Sequence, residues 1–373
     1  MPVIIELDKL PAGYALESAK NGEDVQVAIR EFVSSEDGEL FISRLEGFPS
    51  QLLNELPAQS GMLPSRVDHL LAIIKRDKKV TLYINELPFI ANTLVKGPVK
   101  AGELVDEDKA IDIRSLSFDI ELPPDAGILL IFSVGWRKGM FYDFGPLGKD
   151  NPERDYDINS ALGGYYAYVV QRNLFSLSDP EWSVLIEQQW FLFATLKKAT
   201  LREMVQHVRN NDTLDSMLPQ IHKEVLDNLE DMRGRWEGHR AFGEHIKLLR
   251  HAIEKYEEAD YISTTAIIFP RIEGIMRTLL QRGLEEVKPT QANLSKAHVT
   301  ASQERLHEAS WLFPKYFEVF LKDAYFANFD PSTRSKLSRH SVGHGVAHQD
   351  DFDLKAATIG LLTLDQLYFF IPR

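Results

Sequence analysis

The apolar positions change their period along the chain. Within residues 1–155 they favour strands. Residues 80–85 (VTLYIN) are β-branched and aromatic. Residues 111–122 alternate, with Ile111, Ile113, Leu116, Phe118, Ile120 and Leu122 on the apolar side. Residues 128–134 are a continuous apolar run, as expected of a central strand buried on both faces. Gly135-Trp136-Arg137-Lys138-Gly139 then predicts a hairpin turn into Met140-Phe141-Tyr142. One helix is predicted among these strands, over residues 65–76, where Val67, Leu70, Leu71, Ile73 and Ile74 have near-helical spacing.

Residues 145–153 (GPLGKDNPE) combine two Gly, two Pro and several polar residues and read as a linker. After them the helical period dominates. Helices are predicted over residues 161–172, 180–197, 200–209, 214–256 with breaks, 262–283, 301–326, 332–337 and 353–370. Asp179-Pro180 is a start signal, and Asp351 or Asp353 can cap the final helix. The expected fold class is α+β: a β-rich α/β domain over residues 1–155, a helical connecting region over 156–239 and a helical domain over 240–373. Trp182, Trp190, Phe191 and Phe193 read as helical core, and Trp136, Phe141, Tyr142 and Phe144 as sheet core.

Composition narrows the function. There are no cysteines among the 373 residues, which removes disulfides, thiolate nucleophiles and Cys-based zinc sites. MPVIIELDKL lacks the basic and apolar regions of a signal peptide. The apolar run at 127–136 is too short to span a bilayer, so the expectation is a cytoplasmic protein with no membrane partner. A net charge of −13 argues against nucleic acid until its distribution is considered. Residues 259–373 hold 13 Lys and Arg against 13 Asp and Glu, so the excess of acid lies wholly in residues 1–258. Within the neutral part, Arg334, Lys336 and Arg339 form a small basic stretch without acid.

That stretch leads into Ser338-Arg339-His340-Ser341-Val342-Gly343-His344-Gly345. A histidine moves protons near neutral pH, and an arginine binds phosphate through two N–H groups and takes up developing negative charge. Gly343 and Gly345 disfavour a continuous helix by roughly 1 kcal/mol each, so the motif should form a bend before the final helix.

Arg339, four residues and then His344, with His340 after the Arg and Gly345 after the His, resembles the HEPN (higher eukaryotes and prokaryotes nucleotide-binding) superfamily. Residues 267–277 (IIFPRIEGIMR) also resemble the first core helix of several HEPN groups. The resemblance covers residues 240–373. It implies a helical bundle that cleaves RNA without metal or cofactor, leaving 2′,3′-cyclic phosphate and 5′-hydroxyl ends. His344 would transfer protons, Arg339 would hold the phosphate, and His340 would help position the arginine or the substrate. Glu273 would orient Arg339, with Ser338, Arg334 and Lys336 as further substrate-side residues. The family also implies RNA as substrate and a homodimer through the C-terminal domain. Joined to a domain of unassigned role, such a nuclease suggests a toxin or antiviral defence effector released by an activator of the N-terminal domain. One departure is Ser338, where many members carry Asn; a hydroxyl still hydrogen-bonds.

Two other readings attach to the same residues. The domain could be a non-catalytic HEPN-like module for dimerisation or for nucleotide or RNA binding. Alternatively, His340, His344 and His348 recur every four residues before Asp350, Asp351 and Asp353, which is metal-ligand spacing on a helix. The two glycines break the helix that would align them, so no metal is expected.

Overall fold

The computed structural model describes residues 2–56, 62–148, 153–283, 288–296, 309–328 and 337–371. The protein is α+β and divides into two compact units. Met1–Asn92 and Ile113–Gln171 make the first, and Thr93–Asp112 and Arg172–Arg373 make the second.

The first unit is built on strands β1 (Val3–Glu6), β2 (Tyr14–Ala15), β3 (Val27–Ala28), β4 (Arg30–Ser34), β5 (Leu70–Ile74) and β6 (Lys79–Ile84). After β7 (Phe89–Val95) and β8 (Ala110–Phe118), which pair as a separate ribbon, come β9 (Gly127–Val134) and β10 (Arg137–Asp143). Six of them form one antiparallel sheet in the order β1-β6-β5-β9-β10-β4. The run expected to be a central strand is β9, with Leu129 and Ile131 in the core on one face and Ile128, Leu130 and Phe132 on the other. Helices α1 (Glu39–Glu46) and α2 (Phe48–Asn54) supply Phe41, Leu45, Leu52 and Leu53 to the first of these cores. Helix α3 (Ile158–Val170) supplies Leu162 and Val169 to the second.

The helix expected at 65–76 is instead a 3-10 turn, Pro64–Arg66, followed by β5. Leu70, Ala72 and Ile74 enter one core and Leu71 and Ile73 the other. A strand buried on both faces leaves an unbroken apolar run, which periodicity alone does not separate from a helix. The expected linker begins as a turn, Gly145–Leu147, with Pro146 and Leu147 buried. Arg76 donates to the Pro146 carbonyl at 2.7 and 3.0 Å; residues 149–152 lie outside the described ones. Phe141, Tyr142 and Phe144 are sheet core as expected, but Trp136 is 76% exposed because it sits in the hairpin turn.

The second unit has one large helical core. Its helices include α4 (Asp179–Glu187), α5 (Lys198–Asn210), α6 (Leu218–Glu237), α7 (Ile246–Glu257), α8 (Tyr261–Gly283), α9 (Pro314–Phe320), α10 (Arg339–Gly343) and α11 (Leu354–Phe370). Ser178, one residue before the expected cap, caps α4 in a reciprocal box with Glu181. This helix stops at Glu187, short of the expected Lys197. Gln189 adopts a positive φ of 62°, and Trp190, Phe191 and Phe193 then fill the core from a non-helical segment. Residues 301–308 and 331–336, where helix was expected, lie outside the described ones; Phe313, at φ 48°, precedes the short α9.

Helix α11 is capped by Asp353, one of the two expected caps, whose side chain accepts from the Ala356 N–H at 2.9 Å. Such a cap contributes about 1 kcal/mol. From Ala356 to Phe370 every residue is buried, and the helix packs on α8 and α6. Two of its buried polar residues, Asp365 and Gln366, reach across to other elements. Asp365 accepts from Arg235, Trp236 and Thr195. Gln366 accepts from the Ala194 N–H at 2.9 Å and donates to the Leu312 carbonyl at 3.1 Å.

Candidate functional site

The motif forms α10 and its exit. Ser338 is the N-cap: its Oγ accepts from the Ser341 N–H at 3.2 Å, and Ser341 Oγ accepts from the Ser338 N–H at 2.8 Å. Both serines are buried, so the Ser338 hydroxyl serves the local fold. The helix ends at His344, and Gly345 turns the chain at φ +68°. There the Ser341 carbonyl accepts from both the Val346 and Ala347 N–H groups, closing the turn. Gly343 has a separate task. A Cβ there would lie 2.5 Å from Arg339 Nη1, so its absence lets the guanidinium fold back across its own helix.

Across from α10 stands Glu273 on α8. Arg339 forms an ion pair with Glu273 Oε2, and Arg277 pairs with Oε1 through Nη2 at 2.6 Å and Nε at 2.8 Å. The Arg339 Nε meets the carboxylate as a charge pair without an aligned hydrogen bond. One carboxylate, 9% exposed in its side chain, thus holds two guanidiniums, of which Arg339 is 28% and Arg277 44% exposed.

Two features of α8 set the carboxylate in place. Pro270 lies inside the helix, where proline costs about 3 kcal/mol and disturbs the ladder. Beyond it the Glu273 N–H meets a side chain from outside the helix. It donates to the Tyr325 hydroxyl at 3.1 Å, and that hydroxyl donates to the Phe269 carbonyl at 2.5 Å. A side chain inserted in the i→i−4 ladder bends a helix at a defined point. Tyr325 ends a π-helical turn, Leu321–Tyr325, and burial first, then the nearby Glu273 charge, push its hydroxyl pKa well up. It therefore stays a neutral donor and acceptor.

His340 follows Arg339 on the same helix. Its Nε2 meets the Gln291 side-chain amide, and its ring lies parallel to that of His344, 5.9 Å away at 8°. The pKa of His340 is lowered, first by partial burial and then by the Arg339 and His344 charges, with Glu273 opposing. His340 is thus neutral at pH 7 and able to accept a proton. His344 is exposed at the end of α10. Glu273, Arg277, Gln291, Leu294, Arg339 and His340 line a cleft of about 560 Å³. Thr290, also in its wall, caps the helical segment 291–296 by accepting from the Asn293 N–H at 3.3 Å.

Of the residues singled out in the sequence, Arg339, His340 and Glu273 therefore share one cleft, with His344 stacked beside His340. Ser338 lies beneath as a cap, and Arg334 and Lys336 are outside the described residues. His348 caps a separate turn, with the Asp350 N–H donating to its Nδ1 at 3.3 Å. Among the described residues no group of three or more His, Asp or Glu side chains converges as a metal site. Arg277, Gln291 and Tyr325 were not picked out as site residues. Only the position of Arg277, one helical turn after Glu273, offered a sequence signal.

The fold and site define an α+β protein with a guanidinium–carboxylate–imidazole cleft in its helical unit. Compared with known proteins, the chain matches no family model, no curated protein and no solved structure. Among the described residues no helix is long and apolar enough to cross a membrane.

Proposed function

We propose that this protein is a metal-independent endoribonuclease of the HEPN type, acting in the cytoplasm as a toxin or defence effector. The observation that carries the reading is the Arg339 guanidinium, oriented by Glu273, beside the proton-accepting His340 in one cleft. Arginine fixed by a carboxylate is preorganised for a phosphodiester, and preorganised charge is worth most where negative charge develops.

In this mechanism Arg339 binds the scissile phosphate. His340 takes the proton from the ribose 2′-hydroxyl while the O2′–P bond forms. The P–O5′ bond breaks as His344 gives a proton to the departing 5′-oxygen. The products are a 2′,3′-cyclic phosphate and a 5′-hydroxyl. Two copies pair through their helical units, and a signal at the β-rich unit releases activity.

The test is incubation of purified protein with RNA and EDTA, with end analysis of the fragments. The reading requires cleavage that survives EDTA, leaves cyclic phosphate ends and is lost in Arg339→Ala and His344→Ala. Overexpression of the wild type should arrest growth where these variants do not. Cleavage lost with EDTA would support a metal enzyme. RNA binding or dimerisation without cleavage, even with candidate activators present, would support a non-catalytic module.

A further inference from the structure

Glu273 is engaged on both oxygens by cations that reach it from different elements. Arg277 lies one turn along α8, and Arg339 comes from α10. One carboxylate against two guanidiniums leaves an excess of one positive charge, in a cleft where His340 is held neutral. Two bare guanidiniums would repel; sharing a carboxylate fixes them side by side. A guanidinium carries five N–H donors, and the Glu273 contacts use only one edge of each. Both arginines line the cleft, and Arg277 keeps 44% of its side chain exposed. Gln291 and Thr290 add uncharged hydrogen-bonding groups to the same wall, suited to ribose or base edges.

We propose that Arg277 is a second phosphate-binding residue, and that Arg277 and Arg339 seat two consecutive phosphates of one single-stranded RNA. Arg339 takes the scissile phosphate and Arg277 its neighbour. The two oxygens of Glu273 hold the two guanidiniums side by side in the cleft. The ligand is therefore an internal stretch of polynucleotide rather than a nucleotide with a terminal phosphate. The identity of the strand as RNA rests on the ribonuclease reading; the two-phosphate seat does not.

The test uses 2′-O-methyl oligonucleotides, which cannot be cleaved by 2′-oxygen attack. A dinucleotide with one phosphodiester, a trinucleotide with two and a nucleoside 3′-monophosphate are titrated against the full-length protein by NMR. Wild type should bind the trinucleotide roughly five- to tenfold more tightly than the dinucleotide, since a charge-assisted contact is added. Arg277→Gln should bring that ratio close to one, and Arg277→Lys should keep most of it. On a longer single strand, Arg277→Gln should lower the slope of log K against log salt by about 0.7. A ratio unchanged in Arg277→Gln overturns the proposal. So does failure of wild type to bind either oligonucleotide. Tightest binding of the monophosphate, weakened alike by Arg277→Gln and Arg339→Gln, also overturns it, because both arginines would then hold one terminal phosphate. If the ratio behaves as expected while unmodified RNA stays intact, the seat stands and the nuclease falls. If RNA is cut and the ratio is insensitive to Arg277, the reverse holds.

Discussion

Two of the carboxylate–guanidinium assemblies in the helical unit are built from the same chemistry and put to different use. Asp365 and Arg235 are 0% and 8% exposed in their side chains, and Trp236 and Thr195 complete the carboxylate's contacts. Glu273 is held almost as deeply, at 9%, but its two arginines are 28% and 44% exposed and border a cleft. In the first assembly every partner comes from the protein, so the charges are spent on joining α6 to α11. In the second the carboxylate is fixed and the cations are not enclosed, which leaves them able to meet an anion. The difference lies in how far the guanidiniums are covered.

The largest expected effect tests the closed assembly. Arg235→Ala strands the buried Asp365 charge and should cost about 3–5 kcal/mol of stability, read as a lower urea midpoint. Arg339→Ala should do the opposite: cleavage falls about 10²–10³-fold, as for loss of an oriented charge donor, while the urea midpoint moves little. If Arg339→Ala unfolds the protein as Arg235→Ala does, the contrast between the two assemblies fails.

Tyr325→Phe sits between these cases. Removing the hydroxyl leaves the Glu273 N–H and Phe269 carbonyl to pair directly or stay unsatisfied, at about 1–3 kcal/mol. Glu273 then shifts against Arg339. The expected result is a cleavage loss larger than the change in stability accounts for, and a double-mutant cycle with Glu273→Gln that is clearly non-additive. An additive cycle would reduce Tyr325 to ordinary packing.

The smallest effect is on pH. With its pKa depressed below 6.5, His340 favours the folded state in its neutral form. That contribution is present above pH 6.5 and is lost as pH falls from there through the lower folded value. NMR titration should find the His340 ring protonating below the ordinary histidine range and moving up toward it in Arg339→Ala, because the neighbouring positive charge is gone. A His340 titration that ignores Arg339 would leave burial and the His344 charge behind the shift.

Much of the site's frame could be read locally. The Ser338 to Gly345 bend, the Asp353 cap and the apolar helix after it depend on residues a few positions apart, where capping and glycine conformation act. The central strand β9 was legible for the same reason. The strand β5 was not, because its apolar residues, with Val67 before them, also fit a helical spacing that periodicity alone does not separate from a doubly buried strand. The end of α4 at Glu187 was hidden too, since the aromatic residues after it are apolar whether helical or not.

Sequence by itself determined the chemistry available to the helical unit and the bend that carries Arg339, His340 and His344. Tertiary structure alone decided which groups meet them. Tyr325 reaches the Glu273 N–H across 52 residues, and Gln291 reaches His340 across 49. Such contacts follow from how α8, the π-helical turn and segment 291–296 pack together. No periodicity along the chain encodes them, because a side chain's local pattern reports the face it presents and not the partner that face receives.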